Sequence, residues 1–432
     1  MAWTSDPPRH AYVWAWLPGR TEPVLAGQVA AVAPPAGAVV GRASASRTRY
    51  RFAYSRTYLE RPEAISLYTP ELPLDHGWVE PGVDMPMAGC LRDASPDSWG
   101  QRVIIDRLTG VRGPDATAVV LDDLTYLLES GSNRIGGLDF QASATEYVPR
   151  SVSATLDELH QAAQALEDGT MNEALALALV HGTAVGGARP KVLVNDGDAQ
   201  YIAKLSTASD TYANVKAEAL GLELARRVGI DVPDSFVTRS LGRDVLMVRR
   251  FDRPADGTRR LLISALTMQG FADQIGARWS SYPEMLDVLR RYAPSGVGLG
   301  ERVLQRVCLN VLITNIDDHA RNHAAFWDGT HLELTPAYDL CPHLRINYET
   351  RQAMDVGRAP NTSTQGPRES TRTTIVNAAE DYGVSRERAA ELFDQQVETI
   401  QECLDDVIAQ VGLSSAEAQI VRRSIVPAYA LT

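Results

Sequence analysis

The sequence predicts an α+β protein: a β-rich N-terminal region, a lobe mixing strands with helices, and a largely helical C-terminal lobe. Three observations predict it. Between residues 10 and 145 the segments AYVWAWL, EPVLAGQVAAV and YRFAYSRTYL mix aromatic and β-branched residues between Pro and Gly punctuation. From about residue 150 amphipathic helical spacing alternates with short apolar runs, and after residue 280 apolar residues recur almost wholly at three- and four-residue intervals. At 432 residues the chain is long enough for more than one core. The changes of pattern divide it at 1–148, 149–265 and 266–432.

The elements follow in order. MAGCLRDASPDSWGQRVIIDRL reads as a turn feeding a helix; VSATLDELHQAAQALE and NEALALALVHGT are helical by spacing and by their alanine and leucine content. KVLV and AQYIAKL, joined by NDGD, form a hairpin. ANVKAEALGLELARRVGI places Ala217, Leu220, Leu224 and Val228 at helical spacing, with Gly229 as the stop. VLMV is a short strand leading into RRFDR. EMLDVLRRYA, ERVLQRVCLNVLI, ERAAELFDQQVETIQECLDDVIAQV and SAEAQIVRRSIV are amphipathic helices, whereas GRAPNTSTQGPREST is polar enough to be a mobile loop.

A formal net charge of -12 argues against a generally basic nucleic-acid or membrane surface, and 22% charged with 44% hydrophobic residues fits a soluble protein. MAWTSDPPRH has no apolar core of signal-peptide type, so a cytoplasmic location without membrane contact is expected. Cys90, Cys308, Cys341 and Cys403 lie far apart, which signals neither a disulfide framework nor a zinc knuckle.

The densest polar cluster is TNIDDHARNH, residues 314–323. His319 and His323 stand four apart, as in zinc-protease helices, but that motif needs Glu directly after the first His and here the residue is Ala320. Asp317 and Asn322 instead fit D-x-x-x-x-N, in which the Asp orients the attacking hydroxyl and the Asn holds magnesium. Downstream, LTPAYDL offers Asp339 as a second hard-oxygen ligand. Upstream, Lys204 stands on the strand YIAKL, and Glu218, 14 residues later on a helix, is its expected partner. Adjacent glycines in HGTAVGGARPK let backbone N–H groups approach an anion, although the pattern matches neither common phosphate-loop signature. Taken singly, each has a plain structural alternative: a polar helix end, a turn-capping Asp, a strand-edge Lys, a solvated Glu, an ordinary turn. Their order along the chain is that of a two-lobed protein kinase.

HGTAVGGARPK, YIAKLS, VLMVRRFDR, NIDDHARNHAAF and LTPAYDL together resemble the HipA family of bacterial serine/threonine kinases, the toxins of HipBA-type toxin–antitoxin systems. RFAYSRTYLERPEAISLYTPELPL, ASPDSWGQRVI and NRIGGLDF extend the resemblance to the N-terminal part. The resemblance implies a two-lobed kinase-like fold using ATP and Mg2+. It implies Asp317 as the catalytic aspartate, Asn322 and Asp339 as magnesium ligands, and Lys204 as the ATP-phosphate lysine. It further implies Gly186, Gly187, Ala188, Arg189, Pro190 and Lys191 as the ATP-contacting glycine loop. Arg249, Arg250 and Phe251 would be the hinge, with His319, Ala320, Arg321, Asn322, Tyr338 and Asp339 lining the rest of the nucleotide site. Implied partners are a small helix-turn-helix HipB-like antitoxin, DNA only through that antitoxin, and a protein substrate in translation, such as an aminoacyl-tRNA synthetase, whose modification arrests growth.

The chain departs from that pattern in two places. Many members carry a regulatory serine two residues before the first glycine of GGARPK, where this sequence has Ala184; Thr183 beside it is the substitute candidate for autophosphorylation. Arg249 stands where some relatives have an acid. Two rival readings remain: a small-molecule phosphotransferase of aminoglycoside type, and a non-catalytic co-repressor of a DNA-binding antitoxin.

Overall fold

The computed structural model describes residues 7–32, 48–112, 116, 118–151, 154–172, 175–176, 179–180, 189–197, 199–207, 210, 212–272, 278–343, 350–360 and 363–432. The fold is α+β. Strands β1 (His10–Ala15), β2 (Val24–Ala31), β3 (Tyr50–Tyr54) and β4 (Leu138–Gln141) form an antiparallel sheet ordered β3-β2-β1-β4. In β3 the alternation is plain: Tyr50, Phe52 and Tyr54 are buried while Arg51 and Ala53 are less so. Gly27 on β2 is required by close approach, because a Cβ there would overlap the carbonyl of Ala53 and the ring of Phe52.

A second antiparallel sheet, ordered β5-β6-β8-β7, contains the expected hairpin: β5 (Lys191–Asp196) and β6 (Ala199–Leu205), followed by β7 (Ser235–Ser240) and β8 (Arg243–Arg249). Its buried side chains Val192, Ala203, Leu205, Val245 and Met247 join Trp99, Val103, Leu159 and Ala162 in one core. Those four come from helices α1 (Ser98–Thr109) and α2 (Leu156–Glu167). Both start on strong caps: Asp97 accepts from Gly100 N, and Thr155 with Glu158 forms a reciprocal capping box. The helix nearest the site, α3 (Asn214–Arg227), follows β6, and Gly229 beyond its end takes φ +81, which glycine adopts without strain.

The C-terminal half is built on α4 (Tyr282–Tyr292), α5 (Leu299–Leu312), α6 (Arg386–Val411) and α7 (Ser415–Ser424), with a small sheet ordered β11-β10-β9. In it β9 (Leu261–Ser264) pairs with β10 (Ala324–Trp327), which pairs with β11 (Leu332–Leu334). One core runs from the first sheet through α3, α5 and α6. No described helix is long and apolar enough to cross a membrane.

Two described residues of the polar segment 357–371, Gly366 and Arg368, are tied to Asp355. Asp355 accepts from Gly366 N at 2.7 Å and from Arg368, which also donates to the carbonyls of Ala353 and Arg278. A loop needs backbone partners once buried, and here one carboxylate and one guanidinium supply them.

A buried arginine cluster fastens the N-terminal region to the chain after β8. Arg250 and Arg253 both pair with Asp252 and donate to the carbonyl of Arg134, and Asp252 also accepts from Gly136 N at 2.8 Å. The charge of Asp252 is stabilised there: burial opposes it, but Arg250 and Arg253 outweigh burial and hold its carboxyl well below the usual range.

Candidate active site

The site gathers at Lys204. Its ammonium donates to Glu218 of α3 and to Asp339, 135 residues further along the chain. Burial disfavours the ammonium, yet the two carboxylates keep its pKa above the ordinary lysine value. Burial likewise opposes the charge of Asp339, but Lys204 and then Lys191 hold its carboxyl well below the usual range. Glu218 is pushed up by burial, with Lys204 only partly offsetting it. Asp339 is therefore the firmly ionised member of the pair, and it keeps more exposure than Glu218. Its backbone takes φ 59, a left-handed conformation that aspartate tolerates better than most residues.

Two contacts set α3 in place. Gly221 lies against the main chain at Leu340, where any Cβ would overlap the carbonyl oxygen. On the opposite side Lys216 donates to Gly412 O at 2.8 Å, at the end of α6.

Lys191 stands opposite Lys204 in the β5–β6 register. Like charges facing each other across a sheet repel unless anions intervene. Burial and then Lys204 lower the pKa of Lys191, whose ammonium lies 3.7 Å from Asp97. Asp97 itself is lifted to about 6 by burial, against the pull of Lys191. The cap of α1 thus reaches the site, a link the sequence does not advertise.

The loop after α5 carries the rest. Asp317 is exposed at its turn, and His319 N donates to Asp317 O at 2.9 Å. Ala320–Asn322 makes a short 3-10 turn. Asn322 is buried and donates its amide to Asp317 O at 3.2 Å, leaving its side-chain carbonyl as a hard-oxygen donor. Tyr338 donates to Arg321 O at 2.8 Å, tying this turn to the segment that ends in Asp339.

Asp318, to which the sequence assigns nothing, is the anchor of this loop. Almost fully buried, its Oδ2 accepts from Tyr282 at 2.6 Å and from Asn310 at 2.6 Å, and lies 2.7 Å from Nε2 of His323. Asn310 also binds Asn315 at 2.8 Å. His323 is thereby engaged away from metal, and among the described residues there is no group of three or more His, Cys, Asp or Glu suited to hold an ion. His323 is part of the loop's scaffold.

The hinge residues separate by role. Arg249 is exposed and lies 3.5 Å from Asp234, whereas the Arg250 side chain is buried in the arginine cluster. Phe251 packs at 5.7 Å from the ring of Tyr338 and 5.8 Å from Phe326. Of the glycine-loop candidates, Arg189 pairs with Asp210 at 3.2 Å and Pro190 and Lys191 are buried; Thr183, Ala184, Gly186, Gly187 and Ala188 lie outside the described residues.

This geometry defines a HipA-type kinase fold. Residues 183–404, over half of the chain, match the family described as HipA-like C-terminal domain, and the chain belongs to that family. It is similar in fold to HipA in a complex of Shewanella oneidensis HipA, HipB and operator DNA, with TM-score 0.68, 18% identity and coverage of 96% of this chain and 94% of that one. Over 201 residues it is 23% identical to the inferred kinase Y4mE of Sinorhizobium fredii, spanning 44% of this chain and 47% of that protein. The chain thus aligns with about half of that curated relative's length. The Helicobacter pylori proinflammatory kinase CtkA aligns at 12% identity over 55% of this chain and 94% of that one, with TM-score 0.35, too slight to indicate a shared fold.

Proposed function

We propose that the protein is an ATP- and Mg2+-dependent serine/threonine protein kinase acting as a HipA-type toxin. The observation that carries the proposal is Lys204 held between Glu218 and Asp339, with the Asp317–Asn322 loop tied beside it through Tyr338. Lys204 and Lys191 place two ammonium groups opposite each other, a setting suited to the phosphates of a nucleotide. Asp317, exposed, would orient the acceptor hydroxyl and take its proton, and the preset loop spares the reaction the cost of ordering it. Asn322 and Asp339 fit magnesium, since one offers a neutral carbonyl oxygen and the other a firmly ionised carboxylate. When bound, the ion would neutralise charge developing on the phosphoryl oxygens.

The family also favours a HipB-like helix-turn-helix antitoxin as partner, with DNA reached through it, and growth arrest through a translation protein as output. The net charge of -12 agrees with indirect rather than direct DNA contact. Labelled ATP, magnesium and cell lysate test the central claim. Transfer to serine or threonine of a protein, abolished in Asp317→Asn, is expected; label entering only small molecules would favour a small-molecule phosphotransferase. Neither nucleotide binding nor turnover would favour a co-repressor role. Mapping phosphate on the purified chain tests Thr183: a modified Thr183, lost in Thr183→Ala, is expected if it substitutes for the serine absent at Ala184.

A further inference from the structure

Asp97 belongs to the N-terminal region, outside residues 183–404 that match the family, yet it serves two neighbours at once. Its Oδ1 accepts from Gly100 N at 2.7 Å and caps α1. Its Oδ2 is buried without a hydrogen bond and lies 3.7 Å from the Lys191 ammonium. Nearby Asp93 is the contrast, because both its oxygens are taken, one by Ser264 N at 2.8 Å and the other by Ser264 Oγ at 2.7 Å.

Capping α1 needs one acceptor oxygen, and Asn or Ser supplies it as well as Asp does. A carboxylate that is 5% exposed adds the cost of burying a charge, and burial lifts its carboxyl to about 6. The largest influence against burial is Lys191, followed by the N–H groups of Gly100 and Trp99 and then by Arg321 of the catalytic turn. Lys191, itself buried, has the converse problem: burial and Lys204 disfavour its ammonium, while Asp97 foremost, then Asp339 and Glu218, favour it. Apolar packing sets the spacing, since Trp99 and Val103 of α1 share one core with Val192 of β5 and Ala203 of β6. The carboxylate is thus presented to Lys191 from an element that is fixed independently of the ion pair.

We propose that Asp97 is a positioning residue for phosphotransfer, contributed by the N-terminal region: it holds the Lys191 ammonium in place opposite Lys204 for the phosphates of the nucleotide. The inference rests on the kinase reading above. A cation held in place before the nucleotide arrives need not be ordered when it binds, so the gain falls on nucleotide capture more than on the transfer step.

The test uses the full chain and compares wild type with Asp97→Asn and Asp97→Ser, which keep a cap oxygen and remove the charge. Transfer from labelled Mg-ATP to the proteins of a cell lysate is followed at fixed lysate concentration. Near neutral pH the variants are expected to raise the apparent KM for Mg-ATP about tenfold with kcat little changed. Expressed as a ratio to the variant, so that titration of the nucleotide cancels, the wild-type advantage in kcat/KM is expected to shrink as pH falls through about 6, where Asp97 takes up a proton. The loss should add little to that of Lys191→Met, because both act through one ammonium. A KM at or below that of wild type, a deficit equal at every pH, or losses that add would each overturn the inference and leave the kinase reading intact. Loss of folding in both variants would assign the carboxylate to stability alone and overturn it too. If wild type transfers no label, calorimetry with Mg-ATP and with tripolyphosphate decides. Binding that weakens about tenfold in Asp97→Asn and in Lys191→Met upholds the positioning role while the kinase reading falls alone. Binding indifferent to Asp97, or no binding, overturns the inference.

Discussion

Gly221 of α3 packs against the main-chain carbonyl of Leu340, the residue after Asp339, with no room for a side chain between them. The contact fixes the distance between the helix that carries Glu218 and the turn that carries Asp339. Gly221→Ala must therefore shift one of them and break the geometry around Lys204. A stability loss of about 1–3 kcal/mol is expected in urea unfolding, with phosphotransfer reduced by a larger factor than the population of folded protein explains. Unchanged melting and unchanged transfer would show that the contact is slack.

Asp318 gathers Tyr282, Asn310 and His323 around one carboxylate oxygen. Asp318→Ala leaves those polar groups buried without their shared acceptor and is expected to cost about 3–5 kcal/mol. Asp318→Asn keeps the shape with one acceptor oxygen and should lose less. Equal stability of wild type and both variants in denaturant titration would remove Asp318 from the loop's scaffold.

Lys204→Met removes the cation that joins Glu218 to Asp339 and leaves the two carboxylates without it. Nucleotide affinity, measured by calorimetry with Mg-ATP, is expected to fall at least about tenfold, as loss of a charge-assisted contact implies. Glu218→Gln is expected to lower the transfer rate more than the affinity, because it removes the restraint on Lys204 and not the cation itself.

Asp252 gives the pH dependence a definite sign. Its folded pKa lies below its ordinary 3.8, so its contribution to stability is complete above the ordinary carboxylate range and disappears as pH falls through that range toward the depressed value. Asp252→Asn is expected to lose about 3–5 kcal/mol at neutral pH, where two buried arginines lose their counter-charge. Its deficit relative to wild type should shrink as pH is lowered below about 4. A deficit independent of pH would show that shape, not charge, joins these segments.

Much of the site was legible because its parts sit in local contexts that sequence reports well. Lys204 lies on an apolar strand, Glu218 on a periodic helix ended by Gly229, and Asp317 with Asn322 in a spaced loop. Asp318 was not legible, since its partners include Tyr282, 36 residues away at the start of α4, and nothing near Asp318 announces that burial. Arg250 shows the converse: a hinge position by motif, its side chain is turned toward Asn133 and Arg134, 117 and 116 residues away.

The sequence by itself determined the α+β class, the hairpin of β5 and β6, the order of the candidate catalytic residues and the family resemblance. Those depend on short-range periodicity, turn chemistry and spacing, which the chain carries wherever it folds. Only the tertiary structure decided that Asp339 joins Glu218 at Lys204, that Asp318 anchors the loop, and that the Arg250 side chain is turned toward Arg134. The reason is physical: burial, counter-charge and hydrogen-bond satisfaction are set by neighbours in space, and these neighbours lie up to 135 residues apart in the chain.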